Sequence, residues 1–338
     1  MRTSLALLAL FVGITRPAFA QTYSVTDLGT LGGNDSSASA INDSGQVVGY
    51  SLFANRNEPH AFLWTEASGM QDLGTLGQDT QAQAINQIGQ VTGTSNTSKG
   101  IANAFIWTSS DGIEDLESRT AAGGSGAGIN NASEIAGQYE FDNNVFHASL
   151  WTASTGFQDL GTLGGTVSYA TSINSFGQVV GTSFTASDAS QHAFLWSAGT
   201  GMQDLGTLGG AVSAGGAIND AGEIVGASMS GGSQNFHPFL WTQSRGMRDL
   251  RTLSGFNQCY ATALNAGLIV GYCTSSVRVK SHAFVWSSTM GMQDLNDLIS
   301  ADSGWVLEAA YGINSLGQIV GSGSHGPTRA FLLIPLAR

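Results

Sequence analysis

An Ile-Asn pair ends at Asn42 and returns at Asn86, Asn130, Asn174, Asn219 and Asn314, with Leu-Asn in its place at Asn265. The steps between these asparagines are 44, 44, 44, 45, 46 and 49 residues. A period in the range of roughly 20–50 residues marks an array of like units, because each unit is too small to bury a core alone and must stack on its neighbours. Two further anchors keep the same beat. The segment HAFLW and its variants ends at Trp64, Trp107, Trp151, Trp196, Trp241, Trp286 and Leu333, and an Asp-Leu pair stands at Asp27, Asp72, Asp115, Asp159, Asp204, Asp249 and Asp294.

One repeat divides into four short segments. In the first they are SSASAIN (36–42), QVVGYS (46–51), HAFLWT (60–65) and MQDLGTL (70–76), separated by Gly-, Asn-, Asp- and Ser-bearing turns. Segments of four to seven residues, rich in β-branched and aromatic side chains and bounded by turn formers, read as strands. No window carries a long 3.6-residue apolar stripe with caps. Four strands per repeat, seven times over, predict an all-β fold, a seven-bladed β-propeller with four-stranded blades. The ends of the chain sharpen this. Residues 23–28 (YSVTDL) form a fourth-strand segment with no preceding three, and residues 330–336 (AFLLIPL) form a third-strand segment with no fourth. Paired with each other they close the ring and remove two exposed strand edges.

Within the first segment, the positions two and four residues before the asparagine hold only Ala, Gly or Ser in every copy, as at Ala38 and Ala40, Gly126 and Gly128, or Ala310 and Gly312. That uniform smallness places the segment innermost, where blades crowd one axis. The HAFLW segment then lies further out, with large rings filling the gap between splayed blades. The phrase DLGTLGG, whole at 27–33, 159–165 and 204–210, becomes the strap from one blade's outer strand to the next blade's inner strand. Its glycines serve positive-φ turns or close backbone approach. Irregularity is expected where Arg251 replaces the first strap glycine and where DLNDLISADSGW lengthens the strap after Asp294.

The phrases HAFLW, INDSGQVVGYS and DLGTLGG resemble the HAF-family extracellular repeats, named for a His-Ala-Phe triplet. The triplet is intact at His60–Phe62, His192–Phe194 and His282–Phe284 and departs at Asn103, Ser149, Pro238 and Arg329. The ending from DLNDLI to AFLLIP looks like the closing repeat of such proteins. The resemblance spans the whole chain after its first twenty residues. It implies an exported repeat protein of unassigned biochemical role, and brings no catalytic residues with it.

Residues 1–20 read as a bacterial-type export signal: Arg2, then the apolar run LALLALFVGI, then AFA before cleavage after Ala20. Residues 21–338 are expected to form one domain, secreted or periplasmic and monomeric. No later segment approaches the roughly 20 uninterrupted apolar residues of a spanning helix, so membrane insertion is not expected. Without Arg2 and Arg16 the chain has ten basic residues against twenty-four acidic ones, a formal charge near −14. Such a surface repels phosphate backbones, which argues against nucleic acid as a partner.

Five histidines, His60, His147, His192, His237 and His282, share one repeat position. Equivalent positions on different blades stand too far apart to share a metal ion held at about 2.0–2.1 Å, so hydrogen bonding is expected, with the Asp-Leu aspartates as partners. The repeated asparagines are expected to bond local backbone at the hairpin. Cys259 and Cys273 flank the hairpin CYATALNAGLIVGYC. Counting outward from its turn pairs Leu264 with Leu268 and, at the end, Cys259 with Cys273. A disulfide is therefore feasible in an oxidising compartment, two packed thiols being the alternative. No metal, cofactor or catalytic constellation is legible. The acids outside the repeat pattern, Glu58, Glu140, Asp188, Asp302 and Glu308, show no pairing in the sequence.

Copies differ most between the second and third strands, where a propeller presents loops on the same face as the straps. Phe53, Tyr139, Phe141, Phe184 and Phe236 lie in or beside these loops, and Trp305 lies in the longest strap. Aromatic groups on a polar rim are suited to stacking on sugar rings or anchoring a partner. The expected role is a binding or scaffold module for a protein or glycan. The alternatives are a propeller hydrolase or lyase acting on extracellular glycans, with carboxylates at the channel mouth, and a surface protein with no small ligand.

Overall fold

The computed structural model describes residues 22–54, 58–116, 123–142, 145–275 and 280–336; the export signal expected over 1–20 lies outside them. The described residues form seven four-stranded antiparallel sheets arranged as the blades of a β-propeller. The first strand, β1 (Tyr23–Asp27), belongs to the last blade. The first full blade comprises β2 (Gly32–Ile41), β3 (Val47–Phe53), β4 (Pro59–Thr65) and β5 (Gly69–Asp72), hydrogen-bonded in that order from the inside outward. The last blade has the strands Val306–Ile313, Ile319–Ser324 and Thr328–Pro335, and β1 supplies its fourth. Tyr23 pairs with Pro335 and Asp27 with Phe331, so the ring closes as the two chain ends predict.

The core lies between blades, and the alternation of HAFLW builds it. Successive strand residues point to opposite faces. Ala61 and Leu63 of β4 pack with Val48 and Leu73 against Ala82, Ile85 and Phe105 of the following blade. Phe62 turns the other way, onto Leu28, Val320, Ala330 and Leu332 of the preceding strap and blade. The equivalent rings Phe105, Phe194, Phe239, Phe284 and Phe331 are all fully buried, each burial contributing about 2–3 kcal/mol.

A β-bulge interrupts every inner strand at one place. In the first full blade Ala38 pairs with Gly49 and Ala40 with Val48, leaving Ser39 unpaired. The same shift occurs between Gly126 and Gly128, Ala261 and Ala263, and Ala310 and Gly312. It refines the reason for the small residues. A Cβ on Gly126 would meet Thr92 and Gly93 of the preceding blade, whereas one on Gly128 would meet Ser172 and Ile173 of the following blade. The bulge turns the two small positions toward opposite neighbours, and the close approach is between blades. It also fixes Gly49, where a Cβ would stand 2.0 Å from the Ser37 carbonyl oxygen.

The strap accounts for each letter of DLGTLGG. Asp27 Oδ1 accepts the Gly29 amide at 2.8 Å. Leu28 is buried in the interface. Gly29 adopts φ 78°. The Thr30 hydroxyl donates to Gly33 O and accepts the Gly32 amide, and the Leu31 amide donates to Ser51 Oγ. Gly32 takes φ 99°, and Gly33 lies so close to Leu52 that a Cβ would come within 2.4 Å of its carbonyl. The three blades carrying the whole phrase have inner strands of ten residues and an added parallel bridge at Leu31, Leu163 or Leu208. At the irregular strap Arg251 keeps the glycine's geometry at φ 70°, and its amide still reaches Asp249 at 2.7 Å. The departure expected there falls downstream, where the inner strand begins only at Gln258. The long strap after Asp294 folds into two 3-10 turns, Leu295–Leu298 and Ala301–Ser303.

Candidate functional site

The ring has two faces. On one, the straps meet the loops between second and third strands, as the Leu31–Phe53 bridge shows directly. Phe53, Tyr139, Phe141, Phe184 and Phe236 all stand at this edge, each half-buried. Tyr139 stacks on Phe157 at 4.3 Å with Phe141 edge-on at 4.9 Å, and Phe53 leans on His60 at 4.9 Å. Trp305 departs from expectation. It is 9% exposed, stacks on His325 at 4.9 Å and meets Phe331 edge-on. The 3-10 turns of the long strap fold it back over the interface with Leu298 and Leu307, where its area is worth more than in solvent.

An aromatic run that the sequence reading missed continues inward from Phe236. Its ring lies 5.5 Å from Tyr260, which stacks on Tyr272 at 5.2 Å, and Tyr272 meets Tyr311 at 6.2 Å. The three tyrosines lie on the first and second strands of the sixth and seventh blades and, like Phe236 on the third strand of the fifth, are half-buried. Burial pushes the phenols of Tyr260, Tyr272 and Tyr311 above their ordinary range, and neighbouring phenols add to it at Tyr272 and Tyr311. The available signal was tyrosine at first- and second-strand positions where most other copies have small or polar residues.

Asparagines organise the opposite face. Asn42 Oδ1 accepts the amides of Ser44 and Gln46, as expected of a hairpin residue. Its Nδ2 also donates across the interface to Asn86 O at 3.1 Å. The same link runs from Asn86 to Asn130, Asn130 to Asn174, Asn174 to Asn219 and Asn314 to Asn42. These hairpins line a central well of about 580 Å³. At their tips Ile88, Phe176 and Leu316 are 67%, 72% and 64% exposed, at a position held by Ser or Ala in other copies.

Histidines pair within blades as the spacing suggests. Nδ1 of His60, His147, His192, His237 and His282 lies 2.6–3.1 Å from Oδ2 of Asp72, Asp159, Asp204, Asp249 and Asp294 respectively. Asn103 replaces histidine and donates to Asp115 at 3.0 Å. Cys259 and Cys273 form a disulfide. The counted register was off by one in the hairpin, where Asn265 pairs with Leu268 and Leu264 with Ile269; the bulge at Thr262 absorbs the difference and restores Cys259 opposite Cys273.

Four of the irregular acids can be placed one by one. Asp188 accepts from the Thr166 amide and hydroxyl. Asp302 is exposed in its 3-10 turn. Glu308 takes the Ser324 hydroxyl and lines a pocket of about 490 Å³ beside Trp305, and Glu140 lines another of about 560 Å³. Neither pocket brings a second carboxylate from the described residues. Among those residues no three His, Cys, Asp or Glu side chains gather to hold a metal, and no helix is long and apolar enough to cross a membrane.

No family model and no curated protein matches the chain by sequence. Solved structures resemble it in fold. TolB from Acinetobacter baumannii aligns with TM-score 0.50 and 13% identity over 86% of this chain and 64% of its own. The β-propeller domain of the trilobed protease from Pyrococcus furiosus gives 0.54 and 10% over 75% and 82%. A prolyl endopeptidase gives 0.58 and 9% over 94% and 51%. The chain thus spans about two thirds of TolB and half of the peptidase. At these identities the likeness is one of architecture.

Proposed function

We propose that the chain is an exported binding or scaffold propeller that engages a protein or glycan through its strap-and-loop face. The observation that carries this reading is the aromatic surface beside the variable loops: Tyr139, Phe141 and Phe157 on the third blade, and Phe236, Tyr260, Tyr272 and Tyr311 across the fifth to seventh. Rigid aromatic area with phenol donors loses little side-chain entropy on binding and suits sugar rings or a partner's apolar anchor. The blades hold these rings on strands, so the surface is largely pre-organised. Catalysis is not part of the proposal.

A specific observation favours a second reading. Ile88, Phe176 and Leu316 expose more apolar area than any loop-face aromatic, which suits a partner docked on the hairpin face. One experiment separates the two. The mature chain is screened against a glycan array and by pull-down from a native secretome, alongside F141A/Y272A and I88S/F176S/L316S variants. Capture lost only in F141A/Y272A supports the loop face, whereas loss only in I88S/F176S/L316S assigns binding to the hairpin tips. Capture unchanged in both variants sinks both readings.

A further inference from the structure

The asparagine ring breaks at one place. Among the described residues Asn219 makes no link to Asn265, and Asn265 makes none to Asn314; the side chain of Asn219 bonds only within its own hairpin, donating to Glu223 Oε2 at 2.8 Å and accepting the Ala221 and Glu223 amides. The cause is the sixth blade's hairpin, Asn265-Ala266-Gly267-Leu268, which is one residue shorter than its counterparts and closes as a two-residue turn with φ 51° and 77°. At several interfaces the hairpin covers the fourth residue after the preceding blade's asparagine. Gly89 sits over Gln46 and Gly177 over Glu134, so that a Cβ on either would come within 3.3 Å of that side chain. Gly267, like Gly222, has nothing within 4 Å. The equivalent of Gln46 on the fifth blade, Glu223, is left uncovered.

A pocket of about 410 Å³ opens there, within the range of roughly 300–1,000 Å³ typical of small-molecule sites. Leu240 and Leu268 supply apolar wall, and Glu223, Arg245 and Arg248 supply charge. The arginines are out of character for the chain, which carries no basic residue between Arg119 and Arg245. Arg248 replaces the glutamine found at this position in most copies. Its guanidinium lies 5.5 Å from the centre of the Trp286 ring, a cation–π contact, and neither arginine forms an ion pair among the described residues. Two unpaired guanidinium groups, one carboxylate and an apolar wall thus meet where the symmetry of the ring fails.

We infer that this pocket binds a small zwitterion of the α-amino-acid class with an apolar side chain. The guanidinium groups take the carboxylate, Glu223 takes the ammonium and the leucines take the side chain. An acidic sugar fits less well, because Trp286 is only 6% exposed and its face is covered by Arg248, leaving no stacking platform. The site lies on the hairpin face, so it is independent of the loop-face proposal.

The test is calorimetric titration of the mature chain with L-leucine, L-leucinamide, 4-methylpentanoate and galacturonate. Leucine should bind saturably, with the amide and the des-amino acid each about 10- to 100-fold weaker, as expected for losing a charge-assisted hydrogen-bonded partner. R248Q should weaken leucine by a similar factor, and R251G, at the strap end of the same strand, should leave it unchanged. Lengthening the short hairpin to the Asn-Gln-Ile-Gly-Gln form of residues 86–90, whose glycine covers Gln46, should abolish binding; if that variant does not fold, R248Q decides. Failure of leucine to saturate by about 10 mM, well above the affinity range of useful sites, a preference for galacturonate, or unaltered affinity in R248Q overturns the inference.

Discussion

Arg251 shows what one repeat position demands. The four straps with glycine at this site hold it at φ 78°, 83°, 76° and 72°, and Arg251 follows at 70°. The aspartate two residues earlier sets this geometry by accepting the amide, at 2.7–2.9 Å in each strap. An L-residue in the left-handed region is disfavoured by about 1–2 kcal/mol, part of which a glycine returns through its freer unfolded chain. R251G should therefore stabilise the protein by about 1 kcal/mol, seen as a higher urea midpoint at unchanged slope. A lower midpoint would mean that the arginine makes a compensating contact. At this scale the sequence was most readable where a residue recurs with a partner at fixed spacing, as His60 does with Asp72. It misled at Trp305, which stands outside the repeat and so carries no information about its surroundings. An unrepeated aromatic in a long connection looks exposed until the connection folds back.

At the scale of the element, strands and turns were legible because their chemistry is local. The bulge was not. Its extra residue, Ser39 in one blade, is Gln83, Ala127, Thr171, Gly216, Thr262 or Tyr311 in the others, because a residue that opposes nothing across the ladder is free to vary. What the bulge does impose is small residues on either side, and those were visible without their reason. The ring of asparagines escaped for a different cause, since its cross-blade bonds join residues 44 or more apart. The ring allows a comparison within one molecule. Asn174 is buried and makes bonds to Gln178 Oε1, Asn219 O and the amides of Phe176 and Gln178. Asn265 makes no side-chain bond among the described residues. N174A should cost about 2–3 kcal/mol, because it strands buried amides and a carbonyl as well as losing bonds. N265A should cost less than about 1 kcal/mol. Equal losses in urea titrations of the two variants would show that the turn, and not the cross-blade link, is the source of stability.

For the whole molecule, stability is a property of closure. Each interface needs faces from two blades, so an open array would leave two half-interfaces and two strand edges in water. β1 is the element that prevents this, and it reaches both sides of the join. Tyr23 is buried with Val270, Ala283 and Val285 of the sixth blade, while Leu28 at its end packs with Val47 and Phe62 of the first. Removing residues 22–28 therefore strips contacts from two interfaces at once and exposes the backbone of Thr328–Pro335 as an edge. The truncated chain should elute as soluble oligomers or aggregate in light-scattering chromatography, and its thermal transition should broaden and fall as cooperativity around the ring is lost. A synthetic peptide of residues 22–29 added in trans should restore the elution of the full chain and sharpen the transition, by refilling the same register. If the truncated chain keeps the elution and the transition of the full chain, the six complete blades hold the seventh without β1, and stability resides in nearest-neighbour stacking alone.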